Sequence, residues 1–336
     1  MSVSRKHFLK VLGMSSLAYP LRSLSTGKGI SSIKPNRLKK GSTIGLIAPA
    51  SPVYVDADFD KMIETLEGLG FKLKVAPHAR DKNGYLAGKD EDRVADLHRM
   101  FKDPEVEGII CVRGGWGSNR ILDLIDFDII KNNPKVFVGF SDITSLHLAI
   151  YTHTGLTTFH GPVGKSDWNS YTWEHFQNVI MKGKKDVITV PDRLKDHAYT
   201  ITSGKVSGKL LGGNLTVLSA TLGSSYIPDW NGAILFVEDV GEDVYRIDRL
   251  LSHLSLTGIL DQINGFVFGQ CLACDQPSNS LSLEEVVKHH VQPRNIPAFY
   301  GAMISHDANN ATIPIGIEAK MDAGRHTITL LDAAVK

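Results

Sequence analysis

The stretch KVFVGFSDIT (residues 135–144) decides how the chain is read. Val136, Phe137 and Val138 form a short apolar run that ends at Gly139-Phe140-Ser141-Asp142, and Ile143, Leu146, Leu148 and Ala149 then continue as a helix-like pattern. A buried strand that turns sharply into a helix is the repeating step of an α/β sheet. A serine at such a turn has two readings. It can be an exposed nucleophile with backbone N–H groups beside it to hold an oxyanion, or it can cap the helix, a role that Ser and Asp both favour. The elbow pattern G-x-S-x-G is incomplete, because Ile143 stands where its second glycine would be. That argues against an ordinary α/β-hydrolase.

The same rhythm extends upstream. Thr43–Pro52 reads as a short buried strand stopped by prolines, Phe59–Leu69 as a helix closed by Gly70, and Phe71–Ala76 as an alternating strand. A helix over Asp90–Phe101 and a strand over Gly108–Arg113 follow, the latter running into Gly114-Gly115-Trp116-Gly117, and Asn119–Leu124 restarts a helix. From about 164 to 202 the pattern breaks down. Beyond it, strand-like runs at 204–211, 233–237, 265–269, 311–315 and 326–331 mix with helices at 214–222, 245–254 and 283–290. The expected architecture is α/β in two domains. The first is an N-terminal parallel-sheet, Rossmann-like (flavodoxin-like) domain over 33–165. A connection over 166–200 leads to a C-terminal α/β domain with a mixed or antiparallel sheet over 201–336. In parallel sheets, ligands sit beyond the carboxyl ends of the strands, where the loops 113–118 and 139–144 fall.

Composition narrows the function. The 336 residues are 42% apolar and 22% charged, with a formal net charge of +1, so no basic surface points to nucleic acid. No apolar stretch reaches the roughly 18 residues of a membrane span. Cys271-Leu-Ala-Cys274 lacks the second pair and the nearby histidine of a zinc site. It reads mainly as small buried residues at a strand end, with a redox pair or a local disulfide as alternatives. At the N-terminus, Ser4-Arg5-Lys6-His7-Phe8-Leu9-Lys10 is similar to a twin-arginine export signal with lysine for the second arginine; a weakly apolar stretch and a Ser/Gly/Lys-rich linker follow. Residues 1–32 are therefore expected to be a signal and linker, and the protein periplasmic. The other reading is a basic tail on a cytoplasmic protein.

Three further clusters could carry chemistry. The glycines of Arg113-Gly-Gly-Trp-Gly117 could cradle a phosphate, offer an N–H to an oxyanion or simply make a tight turn, and neither G-x-G-x-x-G nor a following Lys-Ser/Thr is present. Glu238-Asp239, after Ile234–Val237, could orient a histidine or be a capping or surface pair bridged to Arg246 or Arg249. His306, in Ser305-His306-Asp307, is one of 13 histidines, and nothing in composition selects it.

Taken together, eight segments resemble the LD-carboxypeptidase family of serine peptidases, which includes murein tetrapeptide carboxypeptidases and microcin C immunity peptidases. They are IGLIAPASP (44–52), YLAGKDEDRVADL (85–97), VRGGWGSNRILDLID (112–126), GFSD (139–142), FHGP (159–162), LLGGNLTVL (210–218), LFVEDVGEDVYRIDRLL (235–251) and SHDANNATIPIG (305–316). The resemblance implies a Ser-Glu-His triad of Ser141, Glu238 and His306, and an oxyanion hole from the N–H groups of Gly115 and Asp142. From its own capping preference, Asp142 is also expected to cap the helix behind the serine. The resemblance also implies hydrolysis of the L-diamino acid–D-alanine bond of murein tetrapeptides, with no metal or cofactor, and a homodimer. Arg113 is the candidate for the substrate carboxylate and Trp116 a second substrate-binding candidate. The alternatives are a microcin-immunity type amide hydrolase, which should stack an adenine on Trp116, Trp168 or Trp173 unless these merely pack, and a binding protein that has lost the chemistry.

Overall fold

The computed structural model describes residues 32–336 apart from residue 275. The export-like stretch Ser4–Lys10 lies outside the described residues. Two sheets organise the rest.

The first sheet is six-stranded, in the order β12-β5-β4-β3-β1-β2. Its members are β1 (Thr43–Ile47), β2 (Lys72–Val75), β3 (Gly108–Cys111), β4 (Val136–Gly139), β5 (Phe159–His160) and β12 (Ile313–Pro314). All its pairings are parallel except that of β12 with β5. The run β2-β1-β3-β4-β5 is the flavodoxin-like strand order, and its switch point lies between β1 and β3. Ile44, Leu46, Ile47, Ile109, Ile110, Val136, Phe137 and Val138 are fully buried. That is why these strands read as continuous apolar runs rather than as alternation.

The second sheet is eight-stranded, in the order β6-β14-β13-β8-β9-β10-β11-β7. Here β6 is Val187–Thr189, β7 Tyr199–Thr202, β8 Lys205–Asn214, β9 Ile234–Val240, β10 Gly265–Leu272, β11 Ala298–Tyr300, β13 Glu318–Asp322 and β14 Thr327–Leu330. Strands β8 to β11 run parallel; β7, β13, β14 and β6 pair antiparallel at the two edges. The sheet is thus mixed. The segment 166–200 contributes a helix, Ser170–Phe176, as well as β6 and the start of β7.

Three local expectations differ. The run 311–315 joins the first sheet through β12, not the second. Residues 118–124 form a 3₁₀ segment instead of an α-helix. Cys271 and Cys274 are joined in a disulfide, so the reading as two buried reduced side chains gives way to the local bridge. Ala273 inside that turn has φ 52°, which closes the tight loop at the end of β10.

Two histidines tie the sheet to its loops. His147 donates from Nε2 to the Gly139 carbonyl at 2.8 Å, and His160 donates to the Ile304 carbonyl at 2.9 Å. Both are fully buried, and burial holds them neutral, with His147 lowered to about 4 and His160 to about 3. In the unfolded chain they take up a proton near the ordinary value of about 6.5. Their contribution is therefore complete above that value and is lost as pH falls from it toward the folded-state values. The expected slope is about 1.4 kcal/mol per pH unit for each histidine. Urea unfolding at stepped pH should show the wild type losing stability in this window and His160→Gln losing less of it. Equal slopes would refute the assignment.

Candidate active site

The carboxyl end of β4 delivers Ser141, which has φ 63°. A non-glycine residue in this left-handed region carries strain of order 1–3 kcal/mol, and such strain concentrates at functional sites. Neither the 3₁₀ turn Ser141–Ile143 nor the helix Thr144–Thr154 has a side-chain cap, so the serine is not spent as a helix cap. Its Oγ lies 3.0 Å from Nε2 of His306. Nδ1 of that ring lies 2.7 Å from Oε2 of Glu238.

Each partner comes from the carboxyl end of another parallel strand. Glu238 ends the apolar part of β9 and is fully buried. Its other oxygen, Oε1, accepts a hydrogen bond from Asn214 Nδ2 at 3.2 Å. His306 sits in the loop after β11, and the same loop is held at Ile304 by His160. The ring of Phe140 packs on His306 with centroids 4.8 Å apart. A carboxylate that fixes one ring nitrogen leaves the other to accept a proton from a hydroxyl.

Asn214, at the end of β8, links three features. Its Nδ2 also donates to Asp239 Oδ1 at 3.1 Å, and its Oδ1 accepts from Val217 N, capping the helix Leu215–Thr221. Asp239 is satisfied separately by the amide and hydroxyl of Thr216 and by the Val240 amide. Burial, and then the neighbouring Glu238 carboxylate, push Asp239 above the ordinary carboxylate value. The alternative, a pair bridged to Arg246 or Arg249, is not seen among the described residues: Arg246 bridges to Glu242 and Asp243.

The glycine loop after β3 lies against the serine. A side chain added at Gly114 would come within 2.8 Å of Ser141 Cβ, and one added at Gly115 within 2.5 Å of Ser51 Oγ. Only glycine lets this backbone come so close. Ser51, after β1, holds the loop by accepting the Trp116 N–H at 3.0 Å. Arg93, fully buried, donates to the carbonyl of Gly117 at 2.9 Å and to that of Pro49. Asp142 is also buried, and its carboxylate accepts the Ser118 N–H at 2.8 Å. It therefore caps the 3₁₀ segment Ser118–Leu124 across the site, and not its own helix as expected. Burial raises its carboxyl above the usual range. The Asp142 N–H, in the first turn of its own 3₁₀ segment, has no acceptor within that segment.

A cleft of about 590 Å³ opens over these groups, within the range of small-ligand sites. Arg113, Gly115, Ser141, His306, Lys165 and Asn310 are on its walls. Arg113 donates to the carbonyls of Gly114 and Pro52 and forms no ion pair among the described residues, whereas Lys165 pairs with Asp58 at 2.7 Å. Asn310 is 4% exposed, and neither atom of its amide has a partner among the described residues. Such an amide on a cleft wall calls for an explanation. Trp116 does not line the cleft; half exposed, it packs edge-on against Tyr85. Trp168 and Trp173 pack against each other and against Phe176.

The structure thus brings Ser141, Glu238 and His306 together, with Gly115, Asp142 and Arg113 beside them, and leaves Trp116 outside the cleft. The positioning residues Arg93, Asn214 and His160 and the cleft residues Lys165 and Asn310 were not singled out from sequence. Arg93, Asn214, His160 and Asn310 lie inside the family-like segments, but their roles depend on partners distant in the chain.

Known proteins resemble this chain in sequence and fold. A model for the LD-carboxypeptidase N-terminal domain matches residues 44–161, and one for the LD-carboxypeptidase C-terminal domain matches 207–321. A Bacillus subtilis protein named "Probable murein peptide carboxypeptidase" is 38% identical over 313 residues, covering 90% of this chain and 96% of that protein. The murein tetrapeptide carboxypeptidase of Pseudomonas aeruginosa is 30% identical over 291 residues, covering 84% and 94%. Among solved structures, the microcin C7 self-immunity protein MccF superposes with a TM-score of 0.84 at 26% identity, over 90% of this chain and all of that one.

Proposed function

Because the chain belongs to the LD-carboxypeptidase family, we propose that it is a serine hydrolase that removes the terminal D-alanine from murein tetrapeptides by cutting the L-diamino acid–D-alanine bond. The observation that carries this reading is the hydrogen-bonded line from strained Ser141 through His306 to buried Glu238.

In this account His306 Nε2 takes the Ser141 proton as Oγ attacks the scissile carbonyl. The N–H groups of Gly115 and Asp142 receive the oxyanion, an effect worth roughly 3–4 kcal/mol per donor in other hydrolases. His306 then protonates the departing D-alanine amine. Water, activated by the same ring, releases the peptide from Ser141. Glu238 holds the proton on Nδ1 and stabilises the imidazolium. Arg113, which lies on the cleft wall and forms no ion pair among the described residues, binds the terminal carboxylate, and Asn310 hydrogen-bonds the substrate's amide groups. Replacing Arg113 with alanine is expected to raise KM about tenfold or more with a smaller change in kcat; steady-state kinetics on the tetrapeptide will show an unchanged KM if the assignment is wrong.

A second reading, an amide hydrolase for aminoacyl-nucleotide conjugates, is favoured by the MccF likeness. It asks for an aromatic face inside the cleft, and none of the three candidate tryptophans supplies one: two are packed together and Trp116 lies outside. Turnover of the tetrapeptide and of aspartyl sulfamoyl adenosine by the same preparation discriminates between the two. We expect kcat/KM to be at least about 100-fold higher for the peptide, and the reverse order would install the second reading.

Export completes the proposal. The Cys271–Cys274 bridge suits an oxidising compartment, in keeping with the twin-arginine-like start. Fractionation of cells producing the full chain should find it outside the inner membrane, and a purely cytoplasmic pool would overturn this part.

A further inference from the structure

The loop that carries His306 does not hold itself. From Ser305 to Asn309 the chain makes bends only, and its backbone forms no hydrogen bond to other backbone among the described residues. The neck of the loop is closed, by the pairing of Ile304 with Asn310 and by Ala311 N donating to the Met303 carbonyl at 2.8 Å. Five residues project from that neck, and His306 is one of them. Such a loop stays mobile unless groups from elsewhere tie its polar backbone.

The ties come from the segment 166–200, between 136 and 140 residues earlier in the chain. Asn169 Nδ2 donates to the Ala308 carbonyl at 2.7 Å, and Thr172 Oγ1 donates to the same carbonyl at 3.3 Å. Thr172 Oγ1 also accepts the Asn310 N–H at 3.1 Å. One fully buried hydroxyl thus spans the far half of the loop, its proton used on one side and a lone pair on the other. Asn169 is itself oriented, because its Oδ1 accepts the Thr172 N–H at 3.0 Å and caps the helix Ser170–Phe176. That helix is fastened on two sides. Trp173 and Phe176 each pack edge-on against Phe71, with centroids 6.1 Å apart. His175 Nδ1 lies 2.5 Å from Oδ2 of Asp186, the residue before β6.

The near half of the loop is held by His160 at the Ile304 carbonyl, so His306 sits between two holds. Its ring keeps two hydrogen bonds at once, 3.0 Å to Ser141 and 2.7 Å to Glu238. Those partners stand on different sheets. A ring on a drifting backbone meets one of them at the expense of the other, and a shift on the order of 1 Å in such a geometry can cost about 100-fold in rate.

On the serine-hydrolase reading, we propose that Asn169 and Thr172 are positioning residues for the reaction. Through the Ala308 carbonyl and the Asn310 N–H they hold the loop so that His306 faces Ser141 and Glu238 together. The segment between the two domains then belongs to the catalytic apparatus and is more than a connection.

Three variants of the full chain test this: Thr172→Val, Thr172→Ser and Tyr171→Phe. Valine keeps the shape of the side chain and removes both hydrogen bonds, and serine restores the hydroxyl. Tyr171 is the control. Its hydroxyl donates to the Thr189 carbonyl at 3.2 Å, so its loss loosens the helix without removing a tie to the loop. Three readouts are taken well below each melting temperature. They are kcat for D-alanine release, the rate at which a small fluorophosphonate labels Ser141, and the ring-nitrogen chemical shifts of His306, assigned against His306→Gln. Labelling needs the activated hydroxyl but no substrate contact, and the shifts report which ring nitrogen carries the proton.

Thr172→Val should lower kcat and the labelling rate together by about 10- to 100-fold and turn a ring protonated on Nδ1 into a mixture of tautomers. Thr172→Ser should stay within about threefold of wild type, and Tyr171→Phe should lower the melting temperature alone. Labelling of Thr172→Val at the wild-type rate, no rescue by serine, or an equal slowing in Tyr171→Phe overturns the proposal. Should Thr172→Val fail to fold, Asn169→Asp replaces it: the capping oxygen stays, and the donor to Ala308 becomes an oxygen. Its labelling should slow about tenfold, and a wild-type rate overturns the proposal. If wild type neither labels nor releases D-alanine, the hydrolase reading fails. The ring-nitrogen shifts still decide the hold, and an unchanged tautomer in Thr172→Val, or in Asn169→Asp where that replaces it, overturns it.

Discussion

Ser141→Ala is expected to reduce D-alanine release from murein tetrapeptide by about 10⁴- to 10⁶-fold, the range seen when the nucleophile of a triad is removed. The alanine keeps the Cβ and the strained φ of 63° and gives up one hydrogen bond, that to His306 at 3.0 Å. The stability change should therefore be only about 1 kcal/mol. His306→Ala should cost a similar factor in rate. The double variant should be no worse than either single one, because residues that act as one unit do not contribute additively. The check is a set of four proteins, wild type, two singles and the double, assayed together for D-alanine. A double variant whose loss is the product of the two single losses would mean that the side chains act independently.

Glu238→Gln carries the second-largest expectation, a loss of about 10⁴ in kcat, as for amide substitution of the acid in other serine hydrolases. The reason is geometric. Oε2 of Glu238 accepts from His306 Nδ1, and Oε1 accepts from Asn214 Nδ2. A glutamine amide can satisfy only one of the two donors. If its oxygen faces Asn214, its NH₂ faces Nδ1, and the ring adopts the tautomer with the proton on Nε2, which cannot take the Ser141 proton. If its oxygen faces His306, two NH₂ groups meet in a fully buried site, and the cost falls on stability, at about 1–3 kcal/mol. Rate and melting temperature measured on the same preparation separate the cases. A variant within tenfold of wild type in kcat and unchanged in stability would contradict the role given to Glu238.

The sequence was most legible where chemistry is local. Val136–Val138 and Gly108–Cys111 are buried on both faces, so their continuous apolar runs identified parallel strands directly. The strand-to-helix turn at Ser141 and the glycines after β3 marked the carboxyl ends where a ligand would sit. Ser141, Glu238 and His306 were brought forward by resemblance, since no local signal distinguishes His306 among 13 histidines; their side chains meet within hydrogen-bonding distance. What stayed hidden depends on long-range packing. Arg93 lies in a charged helix, yet it is buried, with two loop carbonyls converging on it. Asn214 stands at the start of a helix expected from sequence, but its link to Glu238 depends on β8 lying beside β9. The strand Ile313–Pro314 pairs with β5 rather than with its sequence neighbours, a choice that periodicity over two residues cannot encode. The bridge between Cys271 and Cys274 depends on the turn at Ala273, and its spacing left three readings open.

The most direct test of the central claim, that Ser141 is the nucleophile, is labelling of the intact protein with a fluorophosphonate followed by peptide mapping. One adduct on Ser141 is expected, absent from Ser141→Ala and greatly slowed in His306→Ala, because the attack depends on a hydroxyl activated by that ring. Labelling at another serine, or D-alanine release by protein in which Ser141 cannot be labelled, would contradict it.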